Sequence, residues 1–90
     1  MPTIHLIIRG KVQGVFYRAS AREVAERTGI TGWVKNTEEG DVEMVVTGTT
    51  DQLSLFKDWC RKGPPEAKVT AVEEKSLPDQ AFERFRIVRY

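Results

Sequence analysis

The sequence predicts an α+β sandwich of order β-α-β-β-α-β with one short strand added at its C-terminal end. Three observations carry this. Runs of β-branched and apolar residues alternate with two stretches whose apolar residues recur at helical spacing. Glycines, prolines and capping residues punctuate the junctions between them. The composition is that of a globular chain: 90 residues, 40% hydrophobic, 30% charged, net charge +1. A chain this size supports one domain, residues 1–90, with one modest core.

Residues 3–9 alternate as a strand, with Ile4, Leu6 and Ile8 on one face and Thr3, His5, Ile7 and Arg9 on the other. Residues 10–18 break that pattern: two glycines frame Lys11-Val12-Gln13, which is loop chemistry. A helix follows. Tyr17, Ala21, Val24, Ala25 and Thr28 share one stripe, while Glu23 with Arg27 and Arg22 with Glu26 are i,i+4 pairs on the outer face. Gly29 closes it, because the left-handed region costs glycine nothing.

Residues 30–37 and 42–48 are two strands joined by the hairpin Glu38-Glu39-Gly40-Asp41. Thr49 and Gln52 have capping-box spacing and start the second helix, with Leu53, Phe56 and Cys60 as its inner stripe. Gly63-Pro64-Pro65 stops it, since proline lacks an N–H and disfavours helix in the residue before it. Residues 67–75 read as a fourth strand and 85–90 as a short last one.

Two βαβ units with right-handed crossovers give an antiparallel sheet of strand order 4-1-3-2, with both helices on one face. Strands 1 and 2 then run the same way, separated by strand 3. Their C-terminal ends share one sheet edge, about 10 Å apart at roughly 4.8 Å per strand. The 10–18 loop and Asn36 are thereby brought to the same edge.

Composition excludes several classes. The longest apolar candidate, residues 4–8, is interrupted by His5, so neither a transmembrane span nor a secretory leader is expected. The single cysteine, Cys60, permits no internal disulfide and no cysteine-based zinc site. The cytoplasm is the default compartment, and a monomer is the simplest assembly. The charge balance offers no basic field for nucleic acid.

The loop Gly10-Lys11-Val12-Gln13-Gly14-Val15-Phe16-Tyr17-Arg18 leaves a strand and enters a helix. Successive N–H groups at such a junction can point into one concavity, and the helix N-terminus adds partial positive charge. Arg18, in the first helical turn, can close over it as a bidentate partner for phosphate or carboxylate. It is not a Walker A loop, because Gly14 is followed by Val15. The same residues equally suit a tight turn with a solvated arginine. Asn36 is likewise either turn chemistry or a site residue.

A resemblance separates these readings. The nonapeptide closely resembles the acylphosphatase pattern G-x-V-Q-G-V-x-F-R. Gly32-Trp33-Val34-Lys35-Asn36-Thr37-Glu38-Glu39-Gly40-Asp41-Val42 resembles that family's G-W-V-x-N-x-x-D/E-G-x-V. Gly63-Pro64-Pro65-Glu66-Ala67-Lys68-Val69 and Phe85-Arg86-Ile87 resemble its later segments, so the likeness spans nearly the whole chain. It implies a ferredoxin-like fold with the last strand beside strand 2. It implies hydrolysis of acyl phosphates to carboxylate and inorganic phosphate, with no metal or cofactor. Phosphate, as product, would also be a competitive ligand. The residues matched to phosphate binding are Gln13, Gly14, Val15, Phe16, Tyr17 and Arg18. Asn36 matches the asparagine that orients the attacking water. Tyr17 stands where phenylalanine is usual, keeping the ring and adding a hydroxyl.

Other reactive residues fit structural roles. A cysteine-dependent phosphatase needs an arginine six positions after its nucleophile, and six after Cys60 is Glu66. His5 sits mid-strand on the sheet surface. Glu38 and Glu39 belong to a hairpin turn, and no HExxH or DxD cluster offers a metal site. Trp33 and Trp59 read as packing residues. Two other readings share this topology. An RNA-recognition module needs aromatics on the open faces of strands 1 and 3, which offer His5, Ile7, Glu43, Val45 and Thr47 instead. A non-catalytic anion-binding domain, akin to the one at the N-terminus of larger hydrogenase-maturation proteins, would keep the loop without turnover.

Overall fold

Seven elements follow one another in the computed structural model, which describes residues 1–89. They are β1 (Thr3–Lys11), α1 (Tyr17–Thr28), β2 (Thr31–Asn36), β3 (Val42–Thr47), α2 (Thr50–Lys62), β4 (Lys68–Leu77) and β5 (Phe85–Ile87). They form one sheet of order β4-β1-β3-β2-β5. The first four strands pair antiparallel, as expected. β5 lies beside β2 but runs parallel to it, so the sheet is mixed rather than purely antiparallel. Connectivity is the cause. Leu77 lies opposite Thr3, and Phe85 lies opposite Gly32. Residues 78–84 therefore cross one end of the sheet, and β5 starts where β2 starts.

Strand ends differ from the sequence expectation where pairing decides them. β1 continues through Gly10 and Lys11 after a register shift at Arg9/Gly10. Gly10 has φ 123°, and a Cβ there would collide with the Lys68 carbonyl oxygen, so glycine alone lets β4 approach. β4 reaches Leu77 because it follows β1 down to Thr3. The last strand stops at Ile87, and Tyr90 lies outside the described residues.

The register makes the core. Ile4, Leu6 and Ile8 pair with Val46, Met44 and Val42. All six are buried against Tyr17, Ala21 and Ala25 of α1 and Leu53, Phe56 and Cys60 of α2. The small alanines let α1 lie close to the sheet. Val24 and Thr28, at the margin of the α1 stripe, are only half-buried. α2 opens on a complete capping box: Gln52 N donates to Thr49 Oγ1 (3.1 Å), and Thr49 N donates to Gln52 Oε1 (2.8 Å).

The two helices are tied at one point near the loop. The fully buried Tyr17 hydroxyl donates to the Cys60 carbonyl at 2.8 Å, and its ring lies 5.1 Å from that of Trp59. Burial drives the Tyr17 pKa far above the usual phenol value, so this proton stays on its hydrogen bond. Burial also pushes the Cys60 thiol up to about 12, which makes it an inert packing group. Tyr17→Phe removes a buried hydrogen bond and leaves the Cys60 carbonyl without a helical donor, because the residue four positions on is Pro64 and the Gly63 N–H serves Trp59. It is expected to cost about 1–3 kcal/mol in urea denaturation, the penalty of an orphaned buried acceptor. A change below about 0.3 kcal/mol would mean the bond contributes nothing net.

Candidate active site

β1 and β2 run in the same direction, with Ile8 and Asn36 each opposite Val42. The chain leaving β1 therefore turns beside the end of β2. Gln13 pins it there: its Nε2 donates to the carbonyls of Thr37 and Asp41, each at 2.9 Å. The hairpin that receives these bonds is itself closed. Thr37 N donates to the Asp41 carbonyl at 2.9 Å, and Asp41 N donates to Thr37 Oγ1 at 3.1 Å. Arg9 clamps it from the open face, donating to Asp41 Oδ2 and Glu73 Oε2 at 2.7 Å each.

Beyond Gln13 the backbone twice enters the left-handed region, at Gly14 (φ 74°) and Phe16 (φ 66°, ψ 25°). Phe16 is the N-cap of α1 and supplies no side-chain cap. Among the described residues, no protein acceptor engages the backbone N–H groups from Gln13 to Ala19. Unpaired donors at a helix start carry partial positive charge, and alternating backbone handedness folds them into an anion-binding concavity.

Five of these residues, Gly14 and Phe16 to Ala19, line a pocket of about 290 Å³ together with Val12, Asn36, Ile87 and Arg89. Arg18 is half-buried, with no acidic partner among the described residues. Asn36 follows Gly32 and Val34 on the helix-covered face of β2. Its Oδ1 is buried and has no hydrogen-bond partner. A buried acceptor left unpaired costs about 1–3 kcal/mol.

The structure thus brings Gly14, Phe16, Tyr17, Arg18 and Asn36 to one pocket. Gln13 and Val15 have side chains engaged elsewhere, in the hairpin and in the core, which leaves only their backbone N–H groups for a ligand. The sequence reading assigns no site role to Arg89, Ile87 or Ala19. The alternation Phe85, Ile87, Arg89, which runs through β5 and two residues past it beside β2, is the signal that would have found two of them. A larger hollow of about 570 Å³ lies at the hairpin, lined by Lys35, Asn36, Thr37, Glu38, Glu39 and Glu43. Its three carboxylates repel an anion, and Glu38 and Glu39 are solvent-exposed, as their hairpin reading expects.

His5 stays on the open face, 2.7 Å from Glu43 Oε2. Partial burial works against ionisation of Glu43. The His5 hydrogen bond and the Lys35 charge outweigh it and hold this carboxyl below the usual range. Trp33 and Trp59 are half-buried. No group of three or more potential metal ligands occurs among the described residues. No helix there is long and apolar enough to cross a membrane.

Fold and site together define an α+β sandwich that offers one bound oxyanion a set of donors and, beside it, a buried acceptor. A family profile described as acylphosphatase matches residues 4–87. An acylphosphatase of Bordetella parapertussis is 45% identical over 86 residues, covering 94% of this chain and 92% of that protein. The solved structure of an acylphosphatase from Coxiella burnetii superposes with a TM-score of 0.93 at 41% identity, covering 97% of this chain and 92% of that one. HypF of T. kodakarensis contains a similar region, with TM-score 0.82 and 34% identity; it covers 100% of this chain but 12% of that one. The chain belongs to the acylphosphatase family and is a hydrolase of that class.

Proposed function

We propose that the chain hydrolyses the carboxyl-phosphate bond of acyl phosphates by direct attack of water. The amides of residues 13–18 and the Arg18 guanidinium hold the phosphoryl group, and Asn36 orients the nucleophile. The observation that carries this reading is the orphaned Asn36 Oδ1. It shares a pocket with Arg18 and the unpaired amides, and an acceptor there takes a hydrogen bond from water but repels a phosphate oxygen. The water oxygen bonds to phosphorus as the P–O bond to the acyl group breaks. The bonding pair leaves with the carboxylate, and the water proton passes to a phosphate oxygen. The leaving carboxylate needs little protonation, so a site without a strong general base suffices. Positioning and charge stabilisation do most of the work in such a transfer.

On this reading the enzyme acts as a cytoplasmic monomer on a small-molecule substrate, without metal or cofactor and without nucleic-acid or membrane partners. The net charge of +1 supports the lack of a nucleic-acid partner, and the described residues that line the pocket, which include no acidic or histidine side chain, support a metal-free reading. The test is phosphate release from acetyl phosphate before and after dialysis against EDTA. Activity is expected to survive chelation unchanged, to need no added magnesium and to be inhibited competitively by inorganic phosphate. Activity abolished by chelation and restored by one metal would overturn the mechanism. Phosphate binding without any release would make the chain a non-catalytic anion-binding domain.

A further inference from the structure

Phe16 is placed against two ordinary preferences. The residue is 78% exposed, while its pocket neighbours Val12 and Tyr17 are each 1% exposed. It is also the one non-glycine residue with positive φ among the described residues. A residue with a Cβ is disfavoured in the left-handed region, and glycine fills it freely, as Gly14 does two positions earlier. An exposed ring gains nothing from burial. Neither backbone preference nor solvation accounts for phenylalanine here, and such conflicts concentrate where a chain meets its ligand.

The pocket has room for such a role. Its polar equipment, namely the unpaired amides, Arg18, Arg89 and Asn36, addresses a phosphoryl group. An acyl phosphate has a second half made of carbon. Phe16, with Ala19 and Ile87, supplies the apolar part of the wall that remains accessible. In-line displacement fixes where that half lies: the leaving group departs opposite the attacking water. Asn36 Oδ1 is on the buried floor, and Phe16 is on the exposed rim at the start of α1. Water held at the floor sends the acyl group toward the rim.

We infer that Phe16 is a specificity-determining residue whose ring packs against the carbon portion of the acyl group and favours aromatic over small acyl phosphates. This rests on the function proposed above. The experiment compares kcat/KM for benzoyl and acetyl phosphate in wild type, Phe16→Ala and Phe16→Tyr, with inhibition by inorganic phosphate as a gauge of the cradle. In Phe16→Ala the benzoyl-to-acetyl ratio is expected to fall about three- to tenfold, the size of one aromatic contact. Phe16→Tyr, which keeps the ring, is expected to hold the ratio within about twofold. Phe16→Gly, relieved of the left-handed strain, supplies a folded ringless variant in which the same fall is expected.

An unchanged ratio in both ringless variants overturns the inference and leaves the proposed function standing. So does an equal loss on both substrates together with weakened phosphate inhibition, which would make the ring a support for the loop. A wild-type protein that turns over neither acyl phosphate overturns the proposed function itself, and the inference with it.

Discussion

Replacing Arg18 by alanine is expected to lower kcat/KM on acetyl phosphate by roughly 10²–10⁴, or about 3–5 kcal/mol of transition-state stabilisation. Arg18 is half-buried at the start of α1 and lacks an acidic partner among the described residues. Its charge is therefore not spent on the fold. Without it the phosphoryl group keeps the backbone amides and the exposed Arg89 of the pocket wall but loses the half-buried fork, so phosphate inhibition should weaken in parallel. Lysine should rescue poorly, since a point charge does not reproduce a planar fork. Retention of more than about a third of wild-type kcat/KM in Arg18→Ala would remove the arginine from the mechanism.

Asn36→Ala is expected to show a different signature. If its amide touches the nucleophile and not the phosphoryl group, kcat should drop by about 10² or more. Phosphate affinity, read by calorimetry or competition, should stay within about twofold. Stability provides a second readout. Asn36 Oδ1 is buried without a partner, so deleting it relieves an unpaired acceptor while losing some packing, and the melting temperature should hold or rise slightly. A variant that loses phosphate affinity as severely as Arg18→Ala would make Asn36 a phosphate ligand or a loop support. The water-orienting role would then have to be abandoned.

Much of this was legible from the chain because several local signals agreed. The alternation of Ile4, Leu6 and Ile8 and that of Val42, Met44 and Val46 each mark a buried face, and joining those faces sets the β1–β3 register. Once strand order follows, the meeting of the loop with Asn36 is geometry. Other features depend on tertiary placement. Which carbonyls a glutamine amide reaches is not written in its neighbours, so the Gln13 bonds to Thr37 and Asp41 appear only in three dimensions. The left-handed turn at Phe16 is hidden because glycine is the usual sign of positive φ. The parallel course of β5 follows from the path of residues 78–84, a stretch without periodicity. Arg89 reaches the pocket only because that short strand docks in one register beside β2.

The interior position of β1, paired on both sides, has a kinetic consequence. Ile4 faces Val46 on one side and Ser76 on the other, both far along the chain. Pairings of this kind must close long loops before they are rewarded, and chains rich in them fold over milliseconds to seconds rather than microseconds. The helices can flicker into existence earlier. The cradle at the end of β1 and the amide at the end of β2 come together only across a completed β3. No partly folded intermediate therefore has a rudimentary version of the site, and catalytic competence arrives in the same cooperative event as the sheet.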